Sequence, residues 1–268
     1  MHSLSATCVF ACEIDKFARQ TYEANFRSRN PGLFASGNFA TDITTIAAST
    51  IPNFDILCAG FPCQTFSVAG KQAGFADARG QLFFDIIRIL KSKRPRAFIL
   101  ENVRGLLSHN NGATFETILK ALRGVGYSVH YKVLRACDYG LPQFRPRVFI
   151  VGFTEDIDFA FPSPIPLRFT LSDVFKGKCS KDVAYTITVK GLGRYYGDPR
   201  CIDMYLVDGI PRRIGIPEAK RLMGFPDNFI FPVSHTQAMK QLGNTVAVPV
   251  VRLVAKEVLR SLHKKEKV

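Results

Sequence analysis

The chain has no apolar run near the roughly 18 residues that a membrane-spanning helix needs, which excludes that reading. Its start, MHSLSATCVFACEID, lacks the basic opening and apolar stretch of a secretory signal, so a cytoplasmic protein is expected. No CxxC pair occurs among the seven cysteines, and their number is odd. This argues against a zinc clip, a redox couple or a disulfide framework; free thiols in a reducing compartment are expected, with no metal. Cys8, Cys12, Cys58 and Cys137 lie in or beside apolar runs, the usual setting of small buried hydrophobes. Acidic residues are scarce: 22 Asp+Glu face 36 Lys+Arg, leaving a net charge of +14. That balance favours a polyanion, nucleic acid first, over a neutral metabolite, although cations also solvate an ordinary basic surface. They thicken at Arg88 to Arg96, around Arg194 to Arg213, and in the tail HKKEKV. The sequence has no internal repeat.

A chain of 268 residues can bury one substantial core, as one large domain or a domain with a small lobe. Up to about residue 155, short β-rich runs alternate with stretches of helical spacing. The expected strands are Thr7 to Ala11, Phe54 to Ala59, Ala97 to Glu101, Ser128 to Arg135 and Arg147 to Phe153. Helices are expected over Phe17 to Phe26, Leu82 to Leu90 and Thr114 to Leu122. Such alternation predicts a parallel, doubly wound α/β sheet, with ligands bound outside the carboxyl ends of the strands. Glu13, Gly60 to Cys63, and Glu101 with Asn102 all fall at such ends. After Phe153 a Pro-rich connector leads into a Gly-, Tyr- and charge-rich segment without periodicity. A helix is expected from about Pro217 to Met223, with Glu218 complementing its dipole. The last helix, Val248 to Leu262, should pack back onto the first sheet.

Three stretches carry chemistry. In GFPCQTFS, Cys63 follows a proline on a glycine-containing loop, where a nearby cation could lower its pKa toward the thiolate; a small structural cysteine is the alternative. Glu101 ends a strand in the same crevice, where desolvation would raise its pKa, unless it is a capping or salt-bridged carboxylate. In QFRPR, Arg145 and Arg147 alternate at strand spacing, which would turn both planar donors to one side, toward a phosphate or base carbonyl. A solvated edge strand is the alternative.

The blocks GFPCQTFS, GQLFFDIIRIL, ENVRGL, DYGLPQFRPRVFIVG, EAKRLMGFP and QLGNTVAVPV occur in this order along nearly the whole chain outside about residues 156 to 211. In order and spacing they resemble the S-adenosylmethionine-dependent DNA cytosine-5 methyltransferases, bacterial restriction-modification enzymes of the HhaI type. The resemblance implies that a target cytosine is swung out of the duplex and attacked at carbon 6 by Cys63. It gives Glu101 the pyrimidine edge, and Arg147 the base carbonyl, with Arg145 beside it. For the methyl donor it implies Glu13 at the ribose hydroxyls, Asp42 and Ile43 at the adenine, and further contacts from Ile14, Pro62, Leu82 and Asn244. Ser67 and Arg79 match phosphate contacts. Double-stranded DNA is the implied partner and a cognate restriction endonuclease a further one.

The chain departs from the family in lacking the opening strand and Phe-x-Gly-x-Gly turn that grip the donor. That strand belongs near the middle of the sheet, so its loss would expose two pairing edges. A truncated start, a complementing N-terminal polypeptide or a degenerate relative would each explain it. Gly215 also stands where the family has threonine. In the short recognition region, Thr186, Thr188, Lys190, Arg194, Tyr195 and Arg200 are base- or phosphate-contact candidates. The resulting expectation is an α/β fold: a Rossmann-like methyltransferase sheet lacking its first strand, with a small inserted target-recognition lobe. Residues 1–155 would form the catalytic and cofactor-binding domain, 156–226 the lobe, and 227–268 a helical return. The expected activity is DNA (cytosine-5)-methylation with S-adenosylmethionine. The alternatives are a tRNA cytosine-5 methyltransferase, and a silent DNA-binding relative or one half of a split enzyme.

Overall fold

A computed structural model describes residues 4, 6–62, 78–188, 195–198 and 201–265, without the side chains of 78–81 and 265. Regular structure begins with β1 (Ala11–Cys12) and α1 (Lys16–Phe26), whose first turn is capped by the Asp15 carboxylate accepting from the Phe17 and Ala18 amides. Next come α2 (Pro31–Ala35), β2 (Phe39–Ala40), β3 (Ile56–Gly60), α3 (Ala78–Lys93), β4 (Ala97–Val103), α4 (Ala113–Gly124) and β5 (Ser128–Arg135). Then follow β6 (Gln143–Phe144), β7 (Pro146–Phe153), α5 (Leu171–Phe175), β8 (Ala184–Tyr185), β9 (Met204–Val207) and β10 (Ile210–Arg213). The chain closes with α6 (Ile216–Met223), α7 (His235–Asn244) and α8 (Val248–Lys265). Among the described residues no helix is long and apolar enough to cross a membrane.

The main sheet has the order β3-β4-β7-β5. β3 and β4 are parallel, but β7 runs antiparallel to both its neighbours. This corrects the all-parallel expectation. The segment joining β5 to β7 holds only tight turns and the two residues of β6, and a parallel return would need a longer crossover, usually a helix.

β4 reads as the unbroken apolar run Ala97-Phe98-Ile99-Leu100 because both of its faces are covered. Phe98 and Leu100 join Val148 and Ile150 under Phe83 and Leu90 of α3 and Ile118 and Leu122 of α4. Ala97 and Ile99 join Phe149 and Val151 under Val250, Val254 and Val258 of α8 and Leu222 of α6. The final helix thus packs back on the sheet, as its apolar spacing predicted.

At the amino end the expected strand Thr7 to Ala11 shrinks to two residues. β1 pairs only with β2 and β3 only with β4 among the described residues, so each keeps an open edge. The expectation of a sheet without its first strand agrees with this. It also corrects the buried reading of the cysteines: Cys58, on the half-covered β3, is exposed, and Cys8, Cys12 and Cys137 are only partly buried.

In the region following residue 155, α5 and the β9-β10 hairpin give form to a stretch that has no sequence periodicity. The hairpin turns at Asp208 and Gly209, both at positive φ, and the Asp-Gly pair is itself a turn signal. Glu218 accepts from the Gly215 amide at 3.0 Å and so caps α6, while Gly215 has no hydroxyl to return the bond.

β7 can lie against β4 only because residue 152 is glycine. Gly152 is opposite Phe98, and a Cβ there would fall 2.2 Å from the buried phenyl ring. Gly152→Ala should destabilise the fold by about 2 kcal/mol or more, read as a lower urea midpoint at unchanged m-value.

Candidate active site

The carboxyl ends of β3 and β4 lie side by side, with Gly60 in register with Glu101. The antiparallel register puts Arg147 opposite Val103 and therefore diagonal to Glu101. Its Nε reaches Glu101 Oε1 at 3.1 Å, and each side chain is only 16 % exposed. Burial pushes the Glu101 carboxyl above its ordinary pKa, and the positive charges of Arg147 and then Arg145 pull it back in part. The result is a carboxyl that can hold a proton while presented beside a fixed cation.

Arg145 sits at the break between β6 and β7, and its guanidinium takes a different course from that of Arg147. It is buried and donates to the carbonyls of Gly243 at 3.0 Å and Thr245 at 2.6 Å. Those two carbonyls flank Asn244, the exposed last residue of α7. Arg145 thereby fixes the backbone around an expected donor contact, and its charge still acts on Glu101.

Asn102 links β4 to the start of the segment that leads to Cys63. Its buried amide donates to the Phe61 carbonyl at 3.2 Å, and its side-chain oxygen accepts from the Val103 amide. The Phe61 ring is buried against Phe83, so the chain is held at two points just before Pro62. Cys63 and Ser67 lie outside the described residues. Arg79 lies in the first turn of α3, and its side chain is likewise outside them.

Four of the donor candidates, Glu13, Ile14, Asp42 and Ile43, follow the carboxyl ends of the paired strands β1 and β2, while Pro62, Leu82 and Asn244 lie after β3, in α3 and at the end of α7. Burial raises the pKa of the Cys12 thiol, the charges of Asp42 and Glu13 raise it further, and Arg19 opposes them. Glu13 accepts from the Asp15 amide at 2.8 Å. Asp42 is partly buried and accepts from the hydroxyl and amide of Thr44; these bonds hold its carboxyl below the ordinary range. Arg88 of α3 donates to the carbonyls of Ile43 and Ile46, fixing this turn against α3. Ile14 is 68 % exposed, while Pro62 and Leu82 are partly buried. Two carboxylates and an uncovered apolar side chain at neighbouring strand ends fit a ligand with hydroxyl and amino donors and a flat ring.

In the recognition region, Thr186 donates its hydroxyl to the Phe144 carbonyl at 2.6 Å, Thr188 is exposed, and Tyr195 is 66 % exposed. Lys190, Arg194 and Arg200 lie outside the described residues. Sequence reasoning singled out neither the anchoring role of Asn102 nor Gln143. Gln143 is fully buried and donates to the Leu222 carbonyl while accepting from the Ile187 amide, joining β6 to α6 and to the segment after β8. Its place two residues before Arg145 was the available signal.

Residues 1–190 and 199–260 match the family model described as C-5 cytosine-specific DNA methylase. The chain belongs to that family. It is 43 % identical to the Type II methyltransferase M.NlaX of Neisseria lactamica over 289 residues, 95 % of this chain and 89 % of that protein. Against M1.ScrFI of Lactococcus lactis subsp. cremoris it is also 43 % identical, over 97 % of this chain and 74 % of the relative. M.HhaI of Haemophilus parahaemolyticus is 36 % identical over 98 % of this chain and 90 % of its own length. Among solved structures, the S. pombe Dnmt2 methyltransferase superposes with a TM-score of 0.73 at 18 % identity, covering 97 % of this chain and 93 % of that one. That likeness bears on the fold, which is the Rossmann-like methyltransferase fold. The protein is a DNA cytosine-5 methyltransferase, and its family uses a methyl donor.

The raised pKa of Glu101 means that the folded methyltransferase binds this proton more tightly than the unfolded chain. The stability this contributes is present below the ordinary value of 4.5 and is lost as pH rises through the folded-state pKa. Glu101→Gln should therefore flatten the fall in stability on the alkaline side of 4.5 while cutting methyl transfer by about 100-fold or more. Denaturation over a pH series and single-turnover rates check the two halves.

Proposed function

We propose that the methyltransferase transfers a methyl group from S-adenosylmethionine to carbon 5 of a cytosine flipped out of a specific duplex site, with Cys63 as nucleophile. The observation that carries this reading is the largely covered Glu101–Arg147 pair at a strand end, beside a loop start that Asn102 holds just ahead of Cys63. The Cys63 thiolate forms a bond to carbon 6, and the ring's electron pair moves to carbon 5. Glu101 shares a proton with the pyrimidine N3, and Arg147 donates to the base carbonyl, so charge developing in the adduct meets fixed partners. S-adenosylmethionine supplies an electrophilic methyl group when bound. Its hydroxyl and amino groups match the carboxylates of Glu13 and Asp42, with Ile14, Ile43, Pro62 and Leu82 as apolar lining and Asn244 beside them. After transfer, loss of the carbon 5 proton to a base returns the electron pair and expels Cys63. Arg145 acts here as a positioning residue.

Residues 1–155 are assigned to catalysis and donor binding, 156–226 to target recognition and 227–268 to a return onto the catalytic sheet. Ser67, Arg79, Thr186, Thr188, Lys190, Arg194, Tyr195 and Arg200 are assigned to DNA. We place the protein in the cytoplasm, and the Type II names of its relatives support a cognate restriction endonuclease as a functional partner. The open edges of β1 and β3 favour one further element: a complementing N-terminal polypeptide that supplies a strand and a Phe-x-Gly-x-Gly turn. Adding such a segment should raise donor affinity at least tenfold. Full donor affinity and full activity without it would refute this part.

Purified protein with labelled S-adenosylmethionine and duplex DNA, supplemented with that segment, should incorporate label. Cys63→Ser should lower incorporation by about 1,000-fold or more and abolish covalent trapping on 5-fluorocytosine DNA. A Cys63→Ser variant that keeps its rate, or label entering tRNA in place of DNA, would sink the reading.

A further inference from the structure

Two aromatic rings stand exposed beside the candidate site, and the chemistry above uses neither. β6 and β8 pair in parallel, with Gln143 opposite Ala184 and Phe144 opposite Tyr185. The first pair is buried. Strand alternation turns the second pair outward, where Phe144 is 44 % and Tyr185 49 % exposed. Neighbouring strands lie about 4.8 Å apart, so the two side chains rise from adjacent positions on one face.

Their backbone is firmly held. Thr186 donates to the Phe144 carbonyl at 2.6 Å, and the Tyr205 hydroxyl accepts from the Tyr185 amide at 2.8 Å. Gln143, one residue earlier, is clamped on both ends of its amide. Exposed aromatics on such a rigid base lose little side-chain entropy when something settles on them. A cation completes the surface: Lys181 Nζ lies 4.8 Å from the Tyr185 ring centre and 3.2 Å from its hydroxyl.

The placement identifies the occupant. Phe144 immediately precedes Arg145, in a tight turn where the Arg145 amide donates to the Gln143 carbonyl at 2.9 Å, and Arg147 follows at the start of β7. Tyr185 immediately precedes Thr186. The rings therefore bridge the base-handling side of the site and the recognition segment. A flat apolar surface with an adjoining ammonium, in a chain of net charge +14, matches nucleotides, which present π faces and phosphates in alternation.

We propose that Phe144 and Tyr185 form an aromatic step that receives the nucleotides flanking the target cytosine, with Lys181 on the adjoining phosphate. The proposal rests on the DNA methyltransferase reading and adds an affinity site to it. Stacking tolerates any base, so the step holds the opened strand without reading its sequence.

The test measures binding of a fluorescein-labelled duplex selected for binding to the wild-type protein, at several salt concentrations. Phe144→Ala and Tyr185→Ala should each raise Kd about tenfold and the double variant about 100-fold, with an unchanged salt slope. Lys181→Ala should make the slope shallower by about one. Phe144→Tyr with Tyr185→Phe keeps both rings and should bind like wild type, which separates stacking from misfolding. A double alanine variant within twofold of wild type overturns the step while the wild-type protein still methylates DNA. Failure of the wild-type protein, supplemented with the N-terminal segment, to bind or methylate any duplex would overturn the parent reading and the step with it.

Discussion

The antiparallel register of β4 against β7 places a largely covered cation diagonally across from a largely covered carboxylate, and the candidate site is built outward from that pair. Alternation in a strand has a period of two, so a slip of one residue would turn Arg147 to the opposite face and leave Glu101 buried without its counter-charge. An uncompensated buried charge is far costlier than most surface changes. The apolar layers on both sides of the sheet fix the same register, because Phe98 and Leu100 must meet α3 and α4 while Ala97 and Ile99 meet α8. Folding and chemistry therefore select the same alignment.

From this pair, held side chains extend in three directions. Asn102 reaches the chain just before Cys63, Arg145 reaches the end of α7, and Gln143 reaches α6 and the recognition segment. α7 is tied at another point by Lys240, which pairs with Asp15 at the cap of α1 at 2.8 Å. The helix is thus anchored by charged groups at both points, to the strand break that carries Arg145 and to the cap of α1. The backbone at the candidate positions is held from within the protein, an arrangement that lowers the entropy lost in bringing bound groups together.

The parts of this arrangement differ in how far the sequence reveals them. β4 and α8 are legible because burial on both faces leaves a continuous apolar run, and burial on one leaves a helical stripe. Glu101 is legible because it ends such a run. The direction of β7 is not, since RPRVFIVGF reads the same in either orientation. The break before Pro146 is likewise hidden, and it is what sends Arg145 toward α7. Asn102 and Gln143 are ordinary polar residues until the fold buries them, and the exposure of Cys58 depends on a neighbouring strand. The β9-β10 hairpin was readable from Asp208-Gly209, but a Gly- and charge-rich setting masked it. The family resemblance supplied roles that periodicity could not, and it also identified the part of the sheet that has open edges.

The contact between Phe98 and Gly152 ties two positions distant in sequence into one unit of volume. The phenyl ring occupies the space that any side chain at 152 would need, and glycine leaves a hollow that only a large ring fills. Evolutionary drift at either position is therefore conditional on the other. A smaller residue at 98 opens a void that an alanine at 152 could fill, so the two can change together along a path that neither can take alone.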